Sequence, residues 1–453
     1  MIAPAPPRPR ANPLFGSALD LRRSRIHTYE QVMRECGDVV RLAVGPPGVR
    51  FDLYCVFHPE GVRAVLAGSR EGYSKGTRFY RQIAEAFGRG LLTSEGELWQ
   101  RQRRLIQPLF TRKQIASYAA LMAEEAAAVA GRWERAGRTG DGVDAGAEMV
   151  RLALRVVGRA IFGDDVGKAG EVLDSAFAVL TRQTFRRATS PLAVPASWPT
   201  PANRRATRAR AALHGLVDEL IAHRQRAGTD GDDLLSRLLR ALDPDSGAAM
   251  DPQQIRDEAL IFLLAGHETT STALTFTLHL LGRHPTEQRL VQDELDAVLD
   301  RRPPTAEDAP ALERTARAIK EALRLYPPAY ALGRLADCDQ QIGGYTIPAG
   351  SFVVVSQYAT HRHPQLWENP ETFDPARFTP EREAARHPHA YFPFGAGPRA
   401  CIGSHFAMQE ATIAAAVLLQ RFRIHSQSEE VPLDTQGITL RPKLAVPIQP
   451  TAR

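Results

Sequence analysis

A single cysteine near the carboxyl end of the chain lies in a setting suited to holding a metal. Residues 394–403 read FGAGPRACIG, so Cys401 has three glycines and an arginine beside it and directly precedes a run with helical character. Glycine allows the tight turns and close backbone approach that a flat ligand requires. A thiolate at a helix N-terminus is stabilised by free backbone N–H groups and the helix dipole, and Phe394 would keep water from the sulfur. A free cysteine is more often buried and unreactive, but these ten residues together favour a thiolate ligand.

A long helix is predicted in the middle of the chain. Asp251 and Pro252, with Gln254 three positions after the aspartate, form a typical helix start, and the helical run continues to about Arg283, just before Pro285. At 1.5 Å per residue this helix would be about 48 Å long. Because it is apolar nearly all round, it should cross the protein core.

An acid and a hydroxyl interrupt that apolar helix. Glu268 and Thr269 follow His267 in the run LLAGHETT, and hydroxyl residues continue to Thr272. These polar groups argue against a membrane span. Beside a reacting oxygen, a carboxyl group and a hydroxyl could relay protons. The structural alternative is that the Thr269 hydroxyl bonds to the helix backbone and that Glu268 joins a buried polar network.

Composition and charge indicate a globular protein in a reducing compartment. The 453 residues are 43% hydrophobic and 24% charged, with a formal net charge of +6, which is ordinary for a globular protein. Basic clusters at 101–113 and 204–210 are interpreted as solvated helix faces, with an acidic protein partner as the alternative. Neither nucleic acid nor a membrane is predicted as a partner. The four cysteines are far apart and the N-terminus has no apolar stretch, so a cytoplasmic protein is predicted.

The chain is predicted to be mainly α with small β-sheets, an α+β fold. Residues 1–28 are interpreted as an irregular N-terminal lead-in and residues 29–453 as a single domain. β-like runs lie within 38–57 and 332–357, and the sequence between them is mostly helical. The remaining predicted segments are a proline-rich loop at 191–201, an irregular stretch at 360–400 and a last helix at 402–421.

Four motifs, in one order along the chain, resemble those of the cytochrome P-450 family. The haem-ligand loop of that family has the pattern F-x-x-G-x-R-x-C-x-G, which residues 394–403 match in full. The other three motifs are a W-x-x-x-R helix, an oxygen-activating segment and an E-x-x-R pair. In this chain they are Trp99 to Arg103, Ala265 to Thr269, and Glu321 to Arg324.

The resemblance implies a haem b cofactor between the long central helix and the helix that follows Cys401, with the Cys401 thiolate as the iron ligand. The two propionates of a haem need cationic partners once they are buried. The resemblance gives this role to the arginines, and Trp99 could donate a further hydrogen bond from its indole N–H. The residues implied around the cofactor are Trp99, Arg103, Arg334, Phe394, Arg399, Cys401 and Gly403.

The resemblance also implies a buried network that supports the cysteine loop. Glu321 and Arg324 lie three residues apart on one helix face, where an isolated pair would be an ordinary surface ion pair of little worth. The family joins this pair to an arginine, here Arg377, and commonly has glutamate where this chain has Ala376. These residues are interpreted as a scaffold.

Two histidine pairs have the spacing of metal ligands. They are His361 with His363 and His387 with His389. No acidic or cysteine partners cluster beside them, so they are interpreted as solvated loop histidines.

The resemblance implies a monooxygenase that inserts one oxygen atom of O2 into a hydrophobic small molecule and releases the other as water. A thiolate ligand favours O–O cleavage, and Glu268 and Thr269 would deliver protons. NAD(P)H-derived electrons would come through a separate ferredoxin and its reductase, because the P-450 fold accounts for the whole length. Hydroxylation or epoxidation of a terpenoid, fatty acid or polyketide-type secondary metabolite is expected.

Two other functions stay open, a peroxide-driven peroxygenase and a haem-thiolate sensor without turnover. In either, the Glu268–Thr269 pair would typically be replaced. Comparing turnover with peroxide and with a ferredoxin system would separate the three.

The resemblance implies pocket walls from the segment after Tyr73, the loop near 191–201, the central helix and residues 329–332. Most candidates are apolar, as in ligand pockets generally. They are Phe79, Tyr80, Ile83, Phe87, Leu264, Ala265 and Leu332.

Overall fold

The computed structural model describes most of the chain. The described ranges are 4–68, 72–139, 142–163, 170–190, 194–228, 230–243 and 245–453. Within them the molecule is mainly helical with small sheets, as the sequence predicted. The helices are α1 Ala18–Arg23, α2 Arg25–Cys36, α3 Pro59–Ala67, α4 Arg78–Phe87, α5 Gly96–Ile106, α6 Arg112–Ala116, α7 Ala119–Thr139, α8 Ala145–Phe162, α9 Gly170–Thr189, α10 Pro201–Ala227, α11 Leu234–Arg240, α12 Pro252–Arg283, α13 Pro285–Leu299, α14 Glu313–Leu325, α15 Gln357–Thr360, α16 Pro380–Ala385 and α17 Ser404–Arg421.

Short strands form the sheets at the edges of this helical body. They are β1 Val39–Val44, β2 Phe51–Val56, β3 Tyr73–Ser74, β4 Val143–Asp144, β5 Leu332–Ala336, β6 Gln340–Ile342, β7 Tyr345–Ile347, β8 Phe352–Val355, β9 Phe422–Ser426, β10 Leu433–Asp434, β11 Arg441–Pro442 and β12 Pro447–Ala452. The largest sheet has the order β1-β2-β8-β5-β3, and only its β2–β8 pair is parallel. The two β-like runs of the sequence therefore meet in one sheet.

The predicted central helix is confirmed as α12. The Asp251 carboxylate accepts a hydrogen bond from the Gln254 backbone N–H at 2.8 Å, and Pro252 occupies the first helical position. Most of α12 is buried, because its apolar residues face neighbouring helices on nearly every side. Gly266 lets α8 approach closely, since a Cβ there would lie 2.6 Å from a methyl group of Val157.

The N-terminal lead-in is more ordered than predicted. Residues 18–23 form α1, α2 begins at Arg25, and the Ser17 N–H donates to the Ala43 carbonyl of β1 at 2.8 Å. A Cβ at Gly16 would lie 2.0 Å from that same carbonyl oxygen, so glycine permits the close approach. The prediction of an irregular segment over 1–28 was wrong because burial of Leu21 against the core stabilises a helix that has little local signal.

Other predicted segments lie close to their expected places. The last helix, α17, begins at Ser404, and residues 361–400 contain only short helical turns. Residues 194–200 are the described part of the predicted loop between α9 and α10, and 191–193 fall outside the described residues. In the described part of the chain, no helix has the length and apolarity to cross a membrane.

Candidate functional site

Cys401 is held by a tight turn that packs on α3. A 3-10 turn over Gly397–Arg399 precedes it, and the Cys401 backbone N–H donates to the Phe394 carbonyl at 2.9 Å. Gly397 has a positive φ of 69°, and a Cβ there would lie 2.2 Å from the Leu66 carbonyl oxygen of α3. Only glycine meets both conditions, so the loop sequence fixes where the thiol lies.

The Cys401 thiol has cationic and N–H partners that stabilise its thiolate. Burial is the largest influence and leaves the thiol pKa above its ordinary value, while the Gly403 backbone N–H and Arg103 act to lower it. Gly403 immediately precedes α17, so the N–H belongs to a helix start. These are the interactions expected of a thiolate ligand to a metal.

A large cavity lies between α12 and α17, and Cys401 is on its wall. Its volume is about 1680 Å³, which exceeds the ~300–1,000 Å³ of a common small-molecule site. Ala265 and Thr269 of α12 line it, as do Phe406 and Ala407 of α17. The space is sufficient for a flat cofactor together with a substrate.

Three buried or half-buried cations converge on this cavity. Lys75, Arg334 and Arg399 all line it, and Lys75 and Arg334 are only 7% and 5% exposed. Burial, followed by the charges of Arg334 and Arg399, lowers the pKa of Lys75 well below its ordinary value. Among the described residues, Glu95 is the one carboxylate bonded to this cluster, at 2.9 Å from Arg399.

That cluster fits a dianionic ligand. Three cations with one carboxylate are left with excess positive charge in a partly desolvated site, which is costly without further anions. The two propionates of a haem would supply two carboxylates there, and each cation could donate charge-assisted hydrogen bonds. Lys75 was missed by the sequence analysis, although a lysine within the run GYSKGTRFY, beside the predicted pocket segment, was an available signal.

Trp99 and Arg103 lie next to residues of the cavity wall, and their role as cofactor contacts stays a prediction. The Arg399 guanidinium stacks on the Trp99 ring at 3.9 Å from its centroid. Arg103 donates to the Ala400 carbonyl at 3.2 Å, and neither side chain lines the cavity. The W-x-x-x-R helix therefore contacts both Arg399 and the cysteine loop.

Glu268 and Thr269 both line the cavity, each with a protein partner. The Thr269 hydroxyl donates to the Ala265 carbonyl at 2.5 Å, and the Glu268 carboxylate accepts from the Thr439 hydroxyl at 2.8 Å. The preceding His267 is buried and packs on Phe177, away from the cavity. An acid and a hydroxyl are thus adjacent on the wall, in the arrangement needed for a proton relay.

The predicted ion-pair network is present and buried. Glu321 and Arg324 are both fully buried and joined by two hydrogen bonds of 2.7 and 2.8 Å. Arg324 also donates to the carbonyls of His361 and Pro370, and the Arg377 guanidinium lies 3.3 Å from Glu321. The network ties α14 to the irregular segment that leads to Cys401.

Most pocket candidates line the cavity. They are Phe79, Tyr80, Ile83, Leu264, Ala265 and Leu332. Phe87 does not: it is fully buried and stacks on Phe177 with 5.6 Å between ring centroids. Its position one turn beyond Ile83 directs it into the α4–α9 contact. Residues 329–332 all line the cavity, whereas residues 194–201 do not.

The interpretation of His361 and His363 as solvated was wrong. His361 is fully buried, and its ring nitrogen accepts from the Phe392 N–H at 3.0 Å. Burial, then the charge of Arg324, lowers its pKa well below the ordinary value. His363 is also buried and contacts Asp38 at 3.0 Å, whereas His387 is partly exposed. In the described ranges, no group of three or more metal-binding side chains is found.

Two acids of the central helix hold the loop between α4 and α5, residues 88–95. The Asp257 carboxylate accepts from the Arg89 N–H at 2.8 Å, and the Glu258 carboxylate accepts from the Leu91 N–H at 2.9 Å. Glu258 is fully buried, and burial, as the main cause, raises its pKa to about 8. No sequence motif indicated this contact.

The same loop provides partners for the cation cluster. The Leu92 carbonyl accepts from the Lys75 ammonium at 2.8 Å, and the Ser94 carbonyl accepts from Arg399 at 2.9 Å. A Cβ at Gly90 would lie 2.9 Å from the Glu258 carboxylate, so glycine lets the loop approach α12. The central helix thus helps to place the cations.

Comparison with known proteins agrees with this site. The family model for cytochrome P450 matches residues 6–449. Cyclooctat-9-en-7-ol 5-monooxygenase of Streptomyces melanosporofaciens is 38% identical and covers 92% of this chain and 88% of its own length. Pentalenene oxygenase of Streptomyces avermitilis is 36% identical, with 92% and 90% covered. The crystal structure of the cytochrome P450DA heme domain is 30% identical, with a TM-score of 0.90 over 100% of this chain and 99% of that one.

The chain therefore belongs to the cytochrome P450 family. It is an oxidoreductase of the P450 monooxygenase type, and its family implies a haem cofactor.

Proposed function

We propose that this protein oxygenates a terpenoid, with haem b bound by Cys401 and with electrons from a separate ferredoxin and reductase. The observation that carries the proposal is the cavity that joins the Cys401 thiol, the cation cluster and the Glu268–Thr269 pair in one space. Two relatives whose names denote terpenoid oxygenases support the substrate class. A mainly apolar wall suits such a substrate.

The chain's own residues have distinct parts in this reaction. Bound haem would supply reductive activation of O2 and transfer of one oxygen atom to the substrate. Cys401 would hold the metal as a thiolate, with the Gly403 N–H and Arg103 stabilising its charge. Lys75, Arg334 and Arg399 would hold the two cofactor carboxylates.

Proton delivery is assigned to the acid and hydroxyl of α12. Thr269 would hold a proton at its hydroxyl oxygen beside the reacting oxygen, and Glu268 would resupply it after leaving its bond to Thr439. Phe394 and the apolar residues of the wall would shield the thiolate and the reacting groups from bulk water. The presence of both residues favours a monooxygenase over a peroxygenase or a sensor.

The metal ligand is tested by Cys401→Ser. Reduced holoprotein with carbon monoxide should absorb at the red-shifted position of a thiolate-bound haem, and the variant should lose that band. Met408, which also lines the cavity, offers a matched control, since Met408→Leu should keep the band. A surviving band in Cys401→Ser would remove Cys401 as the ligand.

The reaction is tested with ferredoxin, its reductase, NADPH and ¹⁸O2. Terpene hydrocarbons and terpene alcohols should give products with one labelled oxygen per molecule. Products that form only with added peroxide would point to a peroxygenase instead.

A further inference from the structure

The cavity wall has a strong excess of positive charge. Nine lysine and arginine side chains line it in the described part of the chain, against one carboxylate, that of Glu268. Three of the nine form the cation cluster that fits the cofactor. The other six are Arg22, Arg25, Arg78, Arg81, Arg182 and Arg186, and we call them the arginine collar.

The arginine collar lies where the cavity reaches solvent. Five of its members are exposed, and Arg25 is half-buried. They come from α1, α2, α4 and α9, which meet at this opening. The Arg25 guanidinium lies 4.4 Å over the Phe185 ring of α9, and Arg187 of α9 pairs with Glu85 of α4 at 3.1 Å. The collar therefore surrounds the entrance to an apolar space.

Most of the collar has no acidic partner. Arg25 donates to the Thr435 carbonyl and Arg81 to the Gly76 carbonyl, so both guanidiniums are held in place while their charge stays uncompensated. Across the described residues, the guanidiniums of the remaining four have no hydrogen bond or ion pair. Like charges at one opening repel each other, and an anion bound among them would relieve that repulsion.

Apolar side chains stand beside these cations. Phe15 and Leu19 of the N-terminal segment and Val49 and Phe51 of the β1–β2 hairpin line the same opening and are 38% to 62% exposed. A ligand that satisfies both features has an apolar body and an anionic end.

We infer that the substrate is an amphipathic terpenoid acid, whose carboxylate binds the arginine collar while its hydrocarbon body extends toward Cys401. This inference rests on the proposed terpenoid oxygenase function and narrows its substrate class. A neutral terpene would leave the collar without a partner. The collar would also fix which end of the substrate reaches the reacting oxygen, since binding at one end orients the other.

The test compares ligands that differ only in charge. Dehydroabietic acid with its methyl ester, and farnesoic acid with methyl farnesoate, are titrated into holoprotein by calorimetry and by the Soret spin-state shift. At least one acid should bind more tightly than its ester. Its dissociation constant should rise as salt is added, because exposed charges are screened over a Debye length of about 8–10 Å, while the ester should be insensitive to salt.

Two arginines on one face of α9 offer matched variants. Arg182→Gln with Arg186→Gln should weaken binding of the acid roughly three- to tenfold, the effect of two exposed ion pairs, and leave the ester unchanged. Arg182→Lys with Arg186→Lys keeps both positive charges and should still bind the acid more tightly than the ester. Arg204→Gln with Arg208→Gln on α10, exposed and outside the cavity wall, serves as the control.

The outcomes separate this inference from the proposed function. Equal affinity for acid and ester in both pairs, or no binding of either acid, would overturn the inference even if terpenes are oxygenated. Loss of binding to phosphatidylglycerol vesicles in the glutamine variant, with unchanged affinity for the free acids, would also overturn it in favour of a lipid surface. Preferential acid binding without oxygenated product would support recognition of the carboxylate by the collar and count against the proposed function.

Discussion

The Thr269 hydroxyl is bonded within its own helix and also faces the cavity. It donates to the Ala265 carbonyl one turn back. A hydroxyl in that position could leave its backbone acceptor and donate to a group in the cavity at low cost, since the exchanged bonds are similar in strength. The backbone bond therefore does not reduce Thr269 to a structural role.

Removing that hydroxyl should separate electron use from product formation. Thr269→Ala should keep consuming NADPH but release more hydrogen peroxide and at least tenfold less oxygenated product, since proton delivery typically contributes ~10²–10⁴-fold. Substrate affinity, from the Soret shift, should change little. Peroxide and product are measured against NADPH consumed in the reconstituted system.

Thr269→Ser is the matched control, because it keeps the hydroxyl and should stay coupled. A fully coupled Thr269→Ala variant would mean that protons reach the site through ordered water or the substrate.

At the scale of elements, the loop of residues 88–95 depends on α12 for its position. The buried Glu258 carboxylate of α12 accepts a hydrogen bond from the Leu91 N–H of this loop. Burial raises the pKa of Glu258 to about 8. An acid whose folded-state pKa lies above its unfolded value of about 4.3 contributes stability at low pH that is lost as the pH rises to about 8. The free energy of unfolding should therefore fall over this range, because burial disfavours the charged carboxylate even though the Leu91 N–H favours it.

Glu258→Gln should remove that pH dependence while keeping an acceptor for the Leu91 N–H. The free energy of unfolding of the wild type should fall more steeply from pH 5 to pH 8 than that of the variant, measured by urea unfolding. At pH 6, Glu258→Ala should cost ~1–3 kcal/mol because a buried N–H loses its acceptor. In the Glu258→Ala variant, hydrogen exchange at the Leu91 amide should be faster than in the wild type.

Parallel pH profiles of wild type and Glu258→Gln would contradict this account. The neighbouring Asp257, whose pKa burial also raises, is then the group to substitute next.

The sequence predicted those parts of the site whose signals are local. The start of α12 and the Cys401 loop each depend on a few adjacent residues. The Glu258–Leu91 contact joins residues 167 apart, and no spacing rule reports such a contact. Lys75 had a local signal in its position beside the predicted pocket segment, but its partner, the Leu92 carbonyl, comes from another segment. Phe87 was assigned to the pocket because helix position alone does not say which neighbour packs on that face.

At the scale of the whole molecule, part of the basic cluster at 101–113 is already paired with acidic residues of this chain. Fewer of its cations are therefore free to bind an acidic protein partner. Arg101 and Arg104 pair with Asp243, at 3.3 and 3.7 Å. Arg112 and Lys113 at the start of α6 remain exposed. Helix α6 is attached to α17, the helix after Cys401, through a 2.8 Å bond between the Gln409 side chain and the Ile115 carbonyl. Those two cations therefore lie on the thiolate side of the molecule.

Charge reversal at both positions should weaken association with an acidic ferredoxin. Arg112→Glu with Lys113→Glu should raise the KM for ferredoxin several-fold at low salt, with the difference shrinking as salt is added. Substrate affinity should not change. The same reversal at Arg204 and Arg205 on α10 serves as the control, and an unchanged KM in the α6 variant would place the docking surface elsewhere.

The cluster of Lys75, Arg334 and Arg399 also bears on how the protein is made in a cell. Before haem binds, the folding chain has to bring three cations together with one carboxylate. A cofactor that binds only the folded state stabilises that state by mass action. Chains made faster than haem is supplied would stay longer in partly open forms that proteases attack. Iron-starved cells should therefore contain less of this protein, rather than a standing pool of empty enzyme.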